Sequence, residues 1–220
     1  MILGIGRNYA EHAKEQGAEI PKAPMVFSKN LAAACLNGDD ITVPRVCQDP
    51  AYGGDQVDFE GELAVIVGPA ARDVSQADAL KHVLGYCIAN DVSARWWQKS
   101  GSGGQFFRGK SFDSFCPLGP RVVPALEITN PNALRLTTLV NGQIVQDAST
   151  SEMIFNVANL VSDLSRGMTL LPGTVILTGT PSGVGMARTP PAWLKHGDVV
   201  EVTIERIGAI RNRVVFEGRA

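Results

Sequence analysis

Asp58, Glu60 and Glu62 occupy every second position of QVDFEGELAVIVG. On a β-strand that spacing puts three carboxylates on one face. Like charges so close repel, and the run that follows, Leu63 to Val67, is apolar enough to be buried on both faces. Such a cluster is either the solvated end of an edge strand or a partly buried group that needs a cation, a hydrogen-bond network or protonation. Asp91 supplies a further acid where the apolar run GYCIAN ends. Two acids from one strand and one from another would give three oxygen ligands to a hard divalent cation. With no histidine or cysteine cluster nearby, Mg²⁺ or Mn²⁺ suits such a site better than zinc.

His12 and Glu15, in NYAEHAKE, form a second candidate group. At i and i+3 of a helix they share a face, so the carboxylate can orient an imidazole as a general base; a solvated surface helix accounts for the same pair. His82 and His196 have no comparable partners and read as structural. Gly104, Gly109, Lys110 and Ser111 match the spacing of a nucleotide phosphate loop, but the flanks do not fit. A Gly/Ser turn stands where a buried strand should end, and Pro117 and Pro120 leave a following helix barely two turns. Gly4-x-Gly6 fails as a dinucleotide fingerprint because Tyr9 takes the place of the third glycine. Lys110 therefore needs another role.

The elements that must carry these side chains are mostly strands. Residues 2–6, 62–68 and VLGYCIANDVS read as strands, and residues 8–16 as a short helix stopped by Gly17 and Pro21. Ser75 and Asp78 predict a helix running to about Lys81. Asn141-Gly142, between alternating runs, is a hairpin signal. Met153, Val157, Leu160 and Leu164 recur at helical spacing toward Gly167, and TVILTGT and VVEVTIERIGAIRNRVVFE close the chain as strands. The expectation is an α+β, strand-rich fold with a mostly antiparallel or mixed sheet system in one domain spanning residues 1–220.

Composition narrows the partners. A formal charge of −2, with Lys and Arg scattered, gives no footprint for nucleic acid or acidic lipid. The four cysteines form no C-x-x-C pair, so reduced thiols are expected. No apolar run reaches membrane-spanning length, and MILGIGRNYAEHAKE lacks the features of a signal peptide. The expected location is cytoplasmic, unless a trimmed targeting sequence once preceded this chain.

In order, GRNYAEHAKE, PMVFSKN, DFEGELAVIVG, ANDVSARWWQ, RGKSFDSFCPLGP, VNGQIVQ, MIF, LTGTPSGVG and HGDVVEVTIERIGAIRN cover nearly the whole chain. Together they resemble the fumarylacetoacetate hydrolase family, in its short single-domain branch of acylpyruvate hydrolases and oxaloacetate decarboxylases. The resemblance implies a mixed β-roll with few short helices, a homodimer and a Mg²⁺ or Mn²⁺ site. It implies Glu60, Glu62 and Asp91 as metal ligands, and His12 and Glu15 as a catalytic dyad on a lid-like segment. Lys110 becomes the active-site lysine, while Arg7, Tyr9, Lys29, Arg95, Gln98 and Thr180 fall around the substrate. Two features depart from the pattern. Trp96 and Trp97 follow Arg95 where many relatives have an acid, either as simple packing or as a remodelled, more apolar pocket. The large N-terminal domain of fumarylacetoacetate hydrolase itself is also missing, so its name-giving reaction does not carry over by default.

The implied chemistry is metal-dependent cleavage of a C–C bond in a small 2-oxo acid, by acylpyruvate hydrolysis or oxaloacetate decarboxylation, through an enolate held on the cation. An isomerase or tautomerase of 2-oxo or 2-hydroxy-dienoic acids, of the oxaloacetate or hydroxyheptadienedioate type, would use the same site and only move protons.

Overall fold

The computed structural model describes residues 1–219. In chain order the elements are β1 (Ile2–Gly6), α1 (Ala10–Glu15), β2 (Met25–Lys29), β3 (Ala34–Leu36), β4 (Ile41–Val43), β5 (Val57–Asp58), β6 (Gly61–Val67), β7 (Val83–Asn90) and β8 (Ser93–Ala94). Then come α2 (Arg95–Gln98), α3 (Phe106–Gly109), β9 (Cys116–Pro124), β10 (Arg135–Val140), β11 (Gln143–Ser149), α4 (Val157–Leu164), β12 (Val175–Leu177), β13 (Val199–Ile204) and β14 (Gly208–Phe216). The fold is the expected strand-rich α+β type. No helix is long and apolar enough to cross a membrane among the described residues.

A seven-stranded sheet runs β2-β1-β12-β6-β7-β9-β3, and a five-stranded sheet runs β11-β10-β13-β14-β4. Both are mixed: β1 with β12, β3 with β9 and β14 with β4 pair in parallel, the other neighbours antiparallel. The two sheets share a core. Leu63, Val65 and Val67 of β6 and Tyr86 and Ile88 of β7 pack with Leu136 of β10 and Val200, Val202 and Ile204 of β13. The alternate residues, Ala64, Ile66, Cys87 and Ala89, lie in a second cluster with Ile2, Ala33, Cys116 and Leu177. Every residue of β6 is buried, which explains its unbroken apolar sequence.

Local chemistry sets most turns. Asn141 and Gly142 take φ of 52° and 79°, as a tight hairpin between β10 and β11 needs. The final run does form a hairpin, β13 with β14. Three expectations are corrected. The acidic stretch is not one strand, since β5 ends at Asp58 and β6 begins at Gly61. The segment after Ser75 is a turn followed by a single 3-10 turn over Ala79–His82, because the Ser75 and Asp78 side chains bond to each other and close the turn locally. Met153 stands outside α4, bridging to Tyr9, and the Asn156 side chain caps the helix by accepting from the Asn159 N–H. The four cysteines are free, as expected.

Candidate active site

The antiparallel pair β6/β7 builds the centre of the site. Gly61 faces Asn90 across the ladder, and the Asp91 N–H donates to the Glu60 carbonyl at 2.8 Å. Strand alternation then places Glu62 on the same side as Ala64, and Asp91 on the same side as Cys87 and Ala89. Glu60, Glu62 and Asp91 each direct a carboxylate oxygen into a cluster whose atoms lie within 4.8 Å of one another, all buried. Asp58, the third acid of the period-two run, is pulled away by the break at Phe59 and joins another network.

Cations surround the cluster. The Lys110 ammonium donates to Glu60 at 2.7 Å, Asp91 at 2.5 Å and the Ser93 hydroxyl at 2.8 Å. Lys29 donates to the other Asp91 oxygen and to the Phe115 carbonyl. Arg95 contacts Glu60 at 2.7 Å and Asp58 at 2.7 and 2.9 Å, and donates to Gln98 at 2.9 Å. Asp58 accepts in addition from the backbone N–H groups of Phe59, Gly185 and Met186. Lys110 directly follows the C-terminus of α3, so no helix N-terminus faces it and the phosphate-loop spacing is coincidental.

These contacts divide the acids. Burial alone would raise the Glu60 carboxyl, but Lys110 and Arg95 outweigh it and hold the group well below the usual carboxylate range. Glu62 goes the other way, pushed well up by burial and then by the charges of Asp91 and Glu60. It has no ion-pair partner among the described residues and accepts the Gly179 N–H at 2.6 Å. Gly179 can stand there because it takes φ 96° and a Cβ would lie 2.7 Å from that of Asn8. Four buried carboxylates, Asp58, Glu60, Glu62 and Asp91, thus meet three buried cations, Lys29, Arg95 and Lys110. With all four ionised one negative charge, that of Glu62, is in excess at oxygen-only donors, and that fits a hard divalent cation held by Glu60, Glu62 and Asp91.

Above the cluster lies a cavity of ≈ 320 Å³. Glu60, Lys110, Arg95 and Gln98 line it from the sheet side, and Arg7, His12 and Thr180 from the opposing segments. Tyr9, Lys29, Glu62 and Asp91 are buried outside this lining, and Glu15 is half-buried beside His12. Thr180 is fixed by donating to the Gly61 carbonyl at 2.9 Å and accepting from Gln146 at 2.7 Å. The Tyr9 hydroxyl is buried without a partner among the described residues, and burial followed by the Glu62 charge pushes its ionisation far up.

The dyad does meet. Glu15 Oε1 bonds His12 Nδ1 at 2.7 Å, and Glu15 Oε2 accepts the Gly183 N–H at 2.9 Å. Asn8 anchors the start of α1 by bonding the carbonyls of Phe155 and Thr178. The Gln16 amide reaches His12 Nε2 at 2.8 Å, so the neutral ring carries its proton on Nδ1 and offers Nε2 as acceptor. Trp96 and Trp97 meet edge to face with ring centres 4.9 Å apart and pack at a tilt against Tyr52, and neither lines the cavity, so they pack and do not form an apolar pocket.

Sequence reasoning missed Gln16, Gln146 and Ser93 as supports of the site. Gln16 lies four residues after His12, a helical spacing that would have flagged it; Gln146 comes from the other sheet and leaves no local signal.

Residues 1–215 match the fumarylacetoacetate (FAA) hydrolase C-terminal family. The chain is 42% identical over 214 residues to oxaloacetate tautomerase FAHD2A, mitochondrial, of Bos taurus, covering 97% of this chain and 66% of that protein. Fumarylacetoacetate hydrolase from Exiguobacterium antarcticum is similar in structure, with TM-score 0.87 and 41% identity over 98% of this chain and 75% of that one. So is 2-hydroxyhepta-2,4-diene-1,7-dioate isomerase from Mycobacterium marinum, with TM-score 0.83 and 41% identity over 99% and 75%.

Proposed function

This chain belongs to the fumarylacetoacetate hydrolase family, and from that premise we propose that it interconverts the enol and keto forms of a small 2-oxo acid, with oxaloacetate the first substrate to test. The observation that carries the reading is the meeting, in one cavity, of a basic imidazole nitrogen with the cations that ring the acidic cluster. Glu60, Glu62 and Asp91 would hold a divalent cation, Mg²⁺ or Mn²⁺ by their oxygen donors, and that cation would supply Lewis-acid stabilisation of negative charge on a 2-oxo acid.

Tautomerisation needs a base for a proton on the carbon beside that ketone and positive charge where the oxygen becomes anionic. His12 Nε2 takes the proton, while Glu15 at Nδ1 holds the ring and stabilises it once charged. Lys110 and Arg95 face the developing oxygen charge from the inner end of the cavity. The same imidazole returns the proton to the enolate oxygen to give the enol, and the reverse order, from enol oxygen to carbon, gives the ketone. Gln16 swings aside to free Nε2, since its amide fills that position in the resting arrangement.

The order of the two sequence-based expectations is thereby inverted. The relative named as an oxaloacetate tautomerase and the structure named as a dienedioate isomerase support proton transfer as the main reaction. C–C bond cleavage is the second reading, favoured by the Glu15–His12 pair, which is also the arrangement that activates water. The two separate in one assay. With Mg²⁺ or Mn²⁺ present, enol-oxaloacetate absorbance is followed in parallel with pyruvate release. Faster enol decay without matching pyruvate supports tautomerisation, pyruvate formed in step supports cleavage, and no acceleration of either sinks both.

A further inference from the structure

Four cationic side chains among the described residues line the cavity with the neutral His12, and they fall into two pairs. Lys110 and Arg95 are buried at the inner end, each held by two carboxylates. Arg7 and Lys99 stand at the open end, Arg7 half-buried and Lys99 exposed. Neither of these two has a carboxylate within ion-pair distance among the described residues. Arg7 donates only to the neutral side-chain amide of Gln16, at 3.3 Å. Lys99 feels partial burial and then the like charges of Arg95 and Arg7, which together push its ammonium below the ordinary lysine range. Arg7 also sits at φ 55°, in the left-handed region that costs a side-chain-bearing residue on the order of 1 kcal/mol or more. Two cations aimed into one cavity with no counter-charge mark a place for an anion from outside.

We propose that Arg7 and Lys99 form an outer carboxylate subsite, which makes this protein selective for 2-oxo acids with a second carboxylate over their monocarboxylic counterparts. The inference rests on the reading above, in which the 2-oxo acid head lies at the inner end against Lys110 and Arg95. The distal carboxylate then reaches the mouth, where Lys99 and the Arg7 guanidinium receive it. Because Gln16 bonds both Arg7 and His12, an anion that takes over Arg7 also releases the amide from its resting place. Substrate length is thus coupled to exposure of the base.

The test uses three ligands on the Mg²⁺-loaded protein by titration calorimetry: oxaloacetate, 2-oxobutanoate (which replaces the distal carboxylate by a methyl group) and oxalate (which is too short to reach the mouth). Wild-type protein should bind oxaloacetate about ten-fold more tightly than 2-oxobutanoate. Lys99→Met should cut oxaloacetate affinity about five-fold, the scale of a partly exposed ion pair, and leave oxalate affinity in place. Lys99→Arg should retain the preference, and in turnover the Lys99→Met loss should fall on KM more than on kcat. Equal wild-type affinity for oxaloacetate and 2-oxobutanoate, or an oxalate loss as large as the oxaloacetate loss in Lys99→Met, overturns the subsite. A wild-type protein that shows the preference yet does not accelerate enol decay sinks the proposed reaction and leaves the subsite standing.

Discussion

Asp58→Asn should be among the most damaging isosteric changes in this molecule, although Asp58 touches neither the cavity nor the acidic cluster. Its carboxylate is fully buried and accepts five N–H groups. Oδ2 takes Arg95 Nη2 at 2.7 Å, Arg95 Nε at 2.9 Å and the Met186 N–H at 3.0 Å, while Oδ1 takes Gly185 at 2.8 Å and Phe59 at 2.9 Å. An asparagine must turn its NH₂ toward one of these two sets, so donors face a donor whichever way the amide lies. The variant also removes half of a buried ion pair, and breaking such a pair costs about 3–5 kcal/mol. For a chain of this size, each kcal/mol moves Tm by about 2–4 °C, so a fall of roughly 6–20 °C is expected. Calorimetric melting in a chelator measures it free of any metal contribution. Arg95 remains held by Glu60 and Gln98, so at 20 °C, where the variant is still folded, activity should fall mainly through KM. A cycle with Arg95→Met supplies the control. A Tm within about 2 °C of wild type, or losses that simply add in the double variant, would refute the claim that this pair fastens the site.

The other predictions bear on catalysis, charge and pH. His12→Ala should lower kcat about 100-fold while calorimetric Mn²⁺ affinity stays at the wild-type level; an unchanged kcat removes His12 from the chemistry. Glu62→Gln should weaken Mg²⁺ binding about ten-fold or more yet raise the melting temperature in chelator at pH 8, because it deletes a carboxylate that burial, Asp91 and Glu60 all disfavour; a lower melting temperature contradicts the charge excess. Burial pushes the thiols of Cys47 and Cys116 up to about 12 and that of Cys87 to about 11. The folded state then keeps protons that the unfolded chain releases above about pH 8.5, so stability must fall as pH rises, by roughly 4 kcal/mol per unit for the three together. Denaturant midpoints measured from pH 8 to 10 should drop accordingly, and a flat profile would exclude buried neutral thiols.

Residues whose partners are local were readable in the sequence, and those fixed from afar were not. Asn141-Gly142 encodes its own turn, and the three-residue spacing of His12 and Glu15 brings them together on α1 without help from the rest of the chain. Glu60, Glu62 and Asp91 were legible because each sits at the polar end of an apolar strand, which left burial as one of few outcomes. Asp58 misled, since period two predicts a shared face only while the strand continues, and nothing local announces the break at Phe59. The Ser75 segment misled because a capping signal without an apolar stripe behind it has no helix to start. The pairing of β1 with β12, some 170 residues along the chain, carries no local mark at all, yet it brings the loop after β12 to α1, where the Gly183 N–H reaches Glu15.

The junction of β6 and β7 also bears on how the chain finds its fold. Both strands are almost wholly apolar, so sliding one past the other by two residues would keep every side chain on its proper face and hardly alter the hydrophobic gain. What such a slide cannot keep is the match at the polar ends. It would carry Asp91 about 7 Å from Glu60 and leave Lys110 unable to bridge them. Buried charges left unpaired cost several kcal/mol, more than the slipped ladder can recover elsewhere. The ion-paired groups at the centre of the candidate site therefore also act earlier, as the check that rejects misaligned central strands during folding.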